Sequence, residues 1–206
     1  MSTAKLAAKP RTVTGSAAAR RLRAQDHIPA VIYGHGMAPL SLTVERRDLR
    51  VALSGAAGAN TVLTHLVHSD DREIELLAAA GASVAHCPTT ALKSAYGVSQ
   101  TGRFPEMAAR GVNVAIGTDG NSAANYSDLM RATYLVAGLF KDARRDPTIF
   151  PAEQAYEMAT LGGARAMGLA DQIGSLEPGK KADLVLHDTD RPEWRPLLNV
   201  ANQLVW

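Results

Sequence analysis

Three side chains able to bind a cation or move a proton stand at the ends of apolar runs. His65 follows Thr61-Val62-Leu63-Thr64, His86 closes Ala82–Ala85, and Asp119 follows Val112–Ile116 within Gly117-Thr118-Asp119-Gly120. These residue types suit hydrolysis. A carboxylate can hold a metal and accept a proton from water, and a neutral imidazole can steady developing charge. A zinc-class cation beside them lowers the pKa of a water toward neutrality. Each residue also has a structural alternative. A histidine at a strand end commonly serves as a hydrogen-bonding residue, and an aspartate in a Gly-rich turn commonly shapes the turn. Three such placements in order keep the catalytic alternative in play.

The elements that must position them alternate. An apolar, β-branched run over 61–67 predicts a buried strand ending in His65-Leu66-Val67-His68. Ser69 is a candidate N-cap, with Asp70, Asp71 and Glu73 in the first turn, where negative charge suits the helix dipole. Ile74, Leu76 and Leu77 give that helix a buried face, and Gly81 ends it. A strand over 82–85 leads into His86-Cys87-Pro88. A helix over 104–110 stops at Gly111, and a strand over 112–119 places Asp119 at its C-terminal end, parallel to the strand at 61–67. Helices are predicted at 126–144 and from Pro151 to about Leu161, a short one after Gly163, and a last strand over 182–187. Strands alternating with helices and ending in metal-capable residues predict a parallel α/β barrel with its chemistry at the C-terminal strand ends.

Composition bounds the classes. The chain has 206 residues, 46% apolar and 20% charged, which argues against wholesale disorder and allows one large domain or two small ones. Cys87 is the sole cysteine, so no intrachain disulfide exists and a reducing cytoplasmic setting is expected. No apolar run approaches the ~20 residues of a membrane span, so no membrane association is expected, and no secretory signal is expected at the N-terminus. The net charge of +2 hides an asymmetry. Residues 1–60 hold nine Lys/Arg against three Asp/Glu, and residues 61–206 hold thirteen against seventeen. A basic piece therefore precedes an acidic one, and the basic piece suits a polyanionic partner.

Within that first piece, residues 1–10 predict a disordered tail. Residues 17–23 can form a helical turn carrying Arg20, Arg21 and Arg23. Arg20 and Arg23 share a face suited to two phosphates. Ala30–Tyr33 reads as a strand, Gly34-His35-Gly36 as a turn, and Leu40, Leu42 and Val44 alternate with polar residues as in a half-buried strand. A short helix over 48–54 and a loop over 55–60 follow.

The run Gly15-Ser16-Ala17-Ala18-Ala19-Arg20-Arg21-Leu22-Arg23, then Ile28-Pro29-Ala30-Val31-Ile32-Tyr33-Gly34, resembles the N-terminal part of the bacterial ribosomal protein family that binds 5S ribosomal RNA, which includes a general stress protein. The resemblance covers about residues 11–64. It implies a partial antiparallel β-barrel over 11–60 and RNA contacts through Arg20, Arg21, Arg23 and Tyr33, with 5S rRNA as partner. The order Thr-His-Leu-Val-His at 64–68, Ala-His-Cys-Pro at 85–88, Gly-Thr-Asp-Gly at 117–120 and Gly-Lys-Lys-Ala-Asp-Leu-Val-Leu at 179–186 resembles the amidohydrolase superfamily, in its deaminase and chlorohydrolase branch. That resemblance covers about residues 61–206. It implies the last strands and helices of an eight-stranded α/β barrel, with a β-sandwich return beginning at Gly174–Leu184. It also implies a zinc or iron cofactor and a small cyclic amine or amide substrate of purine, pyrimidine or triazine type. By resemblance, His65 ends the sixth strand and assists the water or the substrate. His86 follows the seventh and supports structure. Asp119 ends the eighth as metal ligand and partner of the attacking water.

This sequence departs from that family's pattern. It has no His-x-His pair: its histidines are His27, His35, His65, His68, His86 and His187. The family's fifth-strand His and Glu have no counterpart, and Ala91 stands where many relatives have Asn. Counting Asp119 as the one ligand, the chain is expected to retain no tight metal and to be inactive alone. Thr61–Thr64 fits both resemblances, which suggests a join of two gene fragments. An unclosed sheet predicts marginal folding and self-association.

Overall fold

A computed structural model describes residues 6–34, 36–53 and 61–206. The chain forms two compact units, Met1–Ala59 and Asn60–Trp206. The expected turn at His35 and loop at 55–60 lie outside the described residues.

The first unit is a three-stranded antiparallel sheet with two helices. Its elements are β1 (Ala8–Pro10), α1 (Ser16–Ala24), β2 (His27–Gly34), β3 (Met37–Glu45) and α2 (Arg46–Leu53). β3 is central and pairs antiparallel with both neighbours, Val44 facing Ala8 on one side and Ile28 on the other. Pro10 and Pro29 lie on the outer strands, where a missing N–H costs no ladder bond. The expected disordered tail at 1–10 is corrected at its end. Ala8-Lys9-Pro10 has no apolar period, and its strand comes from pairing with β3, a long-range contact that local pattern does not show. Arg11 extends that anchor, its guanidinium donating to Leu42 O at 3.0 Å and to Val13 O at 2.9 Å. Gly15 is the N-cap of α1, with a φ of 93° that glycine adopts freely and no side-chain cap. Among the described residues of this unit, Ala18 and Val44 are the buried apolar ones, while Val31, Ile32, Tyr33, Met37 and Leu40 are exposed. The sheet is small and antiparallel, with β1 and β2 as its outer strands, and it does not close into a barrel.

The second unit is built on a parallel sheet in the order β4 (Val62–Thr64), β5 (Ser83–His86), β6 (Asn113–Ile116). Leu63 pairs with Val84, and Val84 with Val114. Between β4 and β5 runs α3 (Asp71–Ala80). Between β5 and β6 run α4 (Pro88–Lys93), α5 (Val98–Thr101) and α6 (Phe104–Ala109). After β6 come α7 (Asn121–Ala124), α8 (Leu129–Arg144), α9 (Ala152–Ala159), α10 (Leu161–Ala166) and α11 (Val200–Val205). Val84 and Val114 meet Ile74 of α3, Phe104 and Met107 of α6, and Val136 and Phe140 of α8 in one core. Full burial of each such side chain is worth about 1.5–3 kcal/mol. A second cluster of Ala137, Ala152, Ala155 and Val205 seats α11 on α8 and α9.

Local details depart from expectation for stated reasons. Asp70, not Ser69, caps α3. It accepts from Glu73 N at 2.7 Å while the Glu73 carboxylate accepts from Asp70 N at 2.9 Å, and Ser69 Oγ instead donates to Leu66 O. Leu76 is exposed because it is two residues from Ile74. Leu77 and Ala78, three and four on, share the packed face. The expected strand at 182–187, the start of a sandwich return, is absent. Leu184, Val185 and Leu186 are exposed and pair with no strand among the described residues. Among the described residues, no helix is long and apolar enough to cross a membrane.

Candidate active site at the strand ends

The three parallel strands deliver their last residues to one end of the sheet. His65 N donates to Ala85 O at 3.1 Å, carrying the β4–β5 ladder one residue further, and Gly117 N donates to His86 O at 2.9 Å, doing the same for β5–β6. The chain then turns sharply. His65, Leu66 and Asp119 have φ of 74°, 45° and 63°, the left-handed region that such residues adopt only when the surroundings impose it. Asn113 braces this platform from below, its amide donating to Ser83 Oγ at 2.9 Å and to Gly162 O at 3.0 Å.

His65 Nε2 lies 3.5 Å from Asp119 Oδ2, and both side chains are partly exposed. Gly120 N donates to Asp119 Oδ1 at 2.6 Å. That hydrogen bond, with the neighbouring His65, holds the Asp119 carboxyl below its ordinary pKa, so it is ionised at neutral pH. His65 Nδ1 is buried and has no protein partner among the described residues. Tyr96 meets the His65 ring edge-on at 5.8 Å, and both line an open cleft of about 400 Å³ with Leu66, Val67, His68, Ser69 and Glu73.

His86 lies on the other side of β5. It is fully buried, stacked on Phe104 at 3.8 Å, with neither ring nitrogen partnered among the described residues. Burial, then the nearby His65, pushes its pKa down to about 3, so it is neutral. Cys87, one residue on, stands just beyond β5 as the N-cap of α4. Its sulfur, a His65 nitrogen and an Asp119 oxygen all lie within 4.8 Å of one another. A Cβ on Gly117 would come 3.0 Å from that sulfur, so the glycine makes room for it. Burial, then the Asp119 charge, raises the thiol to about 11. Sequence reasoning counted one ligand here and missed Cys87 and Tyr96. Imidazole nitrogen, sulfur and carboxylate oxygen are the donors zinc takes, three with a fourth position open, so the set fits a zinc-class cation.

In the first unit, Arg20, Arg21, Arg23 and Tyr33 are all exposed, and the three arginines have no ion-pair partner among the described residues. These four residues belong to the first unit, and His65 and Asp119 to the second.

Residues 40–204 match the Amidohydrolase family, and the chain belongs to it. It is 50% identical over 142 residues to a 5-methylthioadenosine/S-adenosylhomocysteine deaminase of Moorella thermoacetica, covering 69% of this chain and 32% of that protein. A 5'-deoxyadenosine deaminase of Methanothermobacter thermautotrophicus is 36% identical over 182 residues, 88% of this chain and 40% of its own. Among solved structures, an adenosine deaminase of Xanthomonas campestris with bound zinc superposes with a TM-score of 0.69 at 38% identity, covering 78% of this chain and 35% of that one. The chain thus spans about a third of the length of the relatives it matches.

Proposed function

We propose that the chain supplies the His65–Asp119 end of a metal-dependent deaminase site for purine-nucleoside-type substrates. The observation that carries this reading is the His65 Nε2–Asp119 Oδ2 approach of 3.5 Å at the C-terminal ends of parallel strands, on strained backbone. The names of the deaminase relatives support the substrate class. A zinc-class cation held by Asp119, when bound, supplies Lewis acidity that brings a water's pKa toward neutrality. Asp119, ionised and oriented by Gly120 N, accepts the proton released as water adds to the amine-bearing ring carbon. His65, beside it, donates a hydrogen bond to the developing negative charge, and Tyr96 fixes the imidazole plane. The cleft by Tyr96 and Leu66 offers an apolar wall for a flat heterocycle.

The test is complementation. The full chain, co-expressed with the remaining first part of a related deaminase barrel and supplied with zinc, is assayed for ammonia release from 5'-methylthioadenosine, guanine and a triazine. Release from the adenine nucleoside ahead of the others is expected. A folded, zinc-loaded complex that releases ammonia from none of them would overturn the reading.

Arg20, Arg21 and Arg23, exposed and without an ion-pair partner among the described residues, and the exposed Tyr33 favour a second reading for the first unit alone: weak RNA binding of the 5S rRNA type. A few phosphate contacts imply an affinity that falls steeply with salt. In a gel shift with 5S rRNA fragments, the double variant Arg20→Ala, Arg21→Ala is expected to lose most binding. Unchanged binding would remove the arginine pair as the contact.

A further inference from the structure

We propose that Thr90 is a positioning residue for Asp119, its hydroxyl donating to the carboxylate and fixing the angle at which that carboxylate meets the attacking water. The proposal rests on the deaminase reading of His65 and Asp119, and three observations carry it. The first is place. α4 starts directly after Cys87, its N-cap, and Thr90 stands at the third helical position, one turn further on. The Cys87 sulfur lies within 4.8 Å of an Asp119 carboxylate oxygen. Residues three apart on a helix share a face, so the face that brings Cys87 to Asp119 brings Thr90 there too.

The second observation is an uncommitted donor. A helical threonine commonly returns its hydroxyl proton to the carbonyl four residues back. Thr133 does so to Leu129 O at 2.8 Å, and Thr160 to Tyr156 O at 2.9 Å. For Thr90 that carbonyl is His86 O, which already accepts from Gly117 N at 2.9 Å. Thr90 is only 4% exposed, and its hydroxyl makes no hydrogen bond of ordinary geometry among the described residues. A buried hydroxyl in that state is costly and calls for an acceptor. The acceptor it faces is Asp119, whose carboxyl is held below its ordinary pKa first by Gly120 N and next by this hydroxyl. The third observation is room on the acceptor. A carboxylate offers about four lone-pair positions. Asp119 Oδ1 takes Gly120 N at 2.6 Å, and Oδ2 faces His65 Nε2 at 3.5 Å. The terminal torsion of an aspartate is soft, so one short hydrogen bond leaves the carboxylate free to swing. A second donor, from α4, stops that rotation.

Two measurements test this. In the complemented, zinc-saturated enzyme, Thr90→Val removes the hydroxyl and keeps the branched shape. Its kcat for the adenine nucleoside is expected to fall about tenfold or more with KM unchanged, the signature of a hydrogen bond to a charged group that matters in the transition state. Thr90→Ser, which keeps the hydroxyl, is expected to retain most of the rate. Full activity in Thr90→Val, or equal losses in the two variants, would overturn the proposal, the second by showing that Thr90 acts through packing. An inactive wild-type complex would instead sink the deaminase reading, and the second measurement then decides. It uses the full chain alone. The Asp119 carboxyl carbon and the Gly120 amide are followed by NMR at neutral pH in wild type, Thr90→Val and Thr90→Ser. Both signals are expected to move in Thr90→Val and to stay near their wild-type positions in Thr90→Ser. Unmoved signals in Thr90→Val would show that the hydroxyl does not hold the carboxylate, and the proposal would fall.

Discussion

Acid should find this fold through His86. The ring is fully buried against Phe104 and near Phe140, and burial holds its pKa at about 3, well under the ordinary value of about 6.5. The depressed value means that the unfolded chain takes up this proton and the folded chain refuses it. At pH 7 neither state binds it and the group contributes nothing. As pH falls below about 6.5 the unfolded state gains stability at about 1.4 kcal/mol per unit, until pH reaches the folded pKa. Between pH 7 and pH 5 the loss is therefore about 2 kcal/mol, a large share of a typical 5–15 kcal/mol stability. His86→Leu, similar in volume and without titratable nitrogens, removes that term. Urea unfolding of chelator-dialysed protein at pH 7 and pH 5 measures it. The wild type should lose about 2 kcal/mol more than His86→Leu over that interval. Equal losses in the two proteins would show that His86 is protonated in the fold or reaches solvent, and would refute the buried stack on Phe104.

Arg144 donates to both Glu106 oxygens at 2.8 and 3.0 Å and to Gly102 O at 2.9 Å, so Arg144→Met should cost about 1–2 kcal/mol by urea unfolding at neutral pH, the partial exposure of the pair discounting its full value. Burial raises the Glu106 carboxyl, but the Arg144 hydrogen bond and charge outweigh it and the net pKa is lowered. The stabilisation is thus present above the ordinary glutamate range and fades as pH falls through the folded value, so the cost of Arg144→Met should shrink in acid. Gly102→Ala should destabilise by more than about 1 kcal/mol in the same assay, because its Cβ would lie 2.4 Å from Val98 O, a backbone atom with little freedom to yield.

How much was legible follows from where each signal resides. β5 and β6 are short runs of small and β-branched residues between glycines and turns, and they form where expected, although β6 ends at Ile116 and Asp119 stands in the turn beyond it. Their parallel relation to β4 was also readable, because helices separate them in sequence. The run Ala182–His187 is also apolar but has no strand partner among the described residues, and a strand is a property of a pair. β1 shows the converse: Ala8-Lys9-Pro10 has no strand composition and is recruited by β3. At the site, His65 and Asp119 were visible as polar residues ending apolar runs, and the structure sets them 3.5 Å apart. Cys87 was not, because a cysteine beside proline carries no local sign of what faces it across the sheet. Tyr96 was not, because its place beside His65 comes from a loop whose path no periodicity encodes.

The central claim is that Asp119 and His65 form the reacting end of a deaminase site, and the most direct measurement is kcat/KM for an adenine nucleoside in the complemented enzyme, wild type against Asp119→Asn and His65→Asn. Removal of a proton-accepting or charge-stabilising group at the reacting centre typically costs about 10²–10⁴-fold. Losses in that range for both variants, with the complex still folded and assembled, are the predicted result. Full activity in Asp119→Asn would contradict the account.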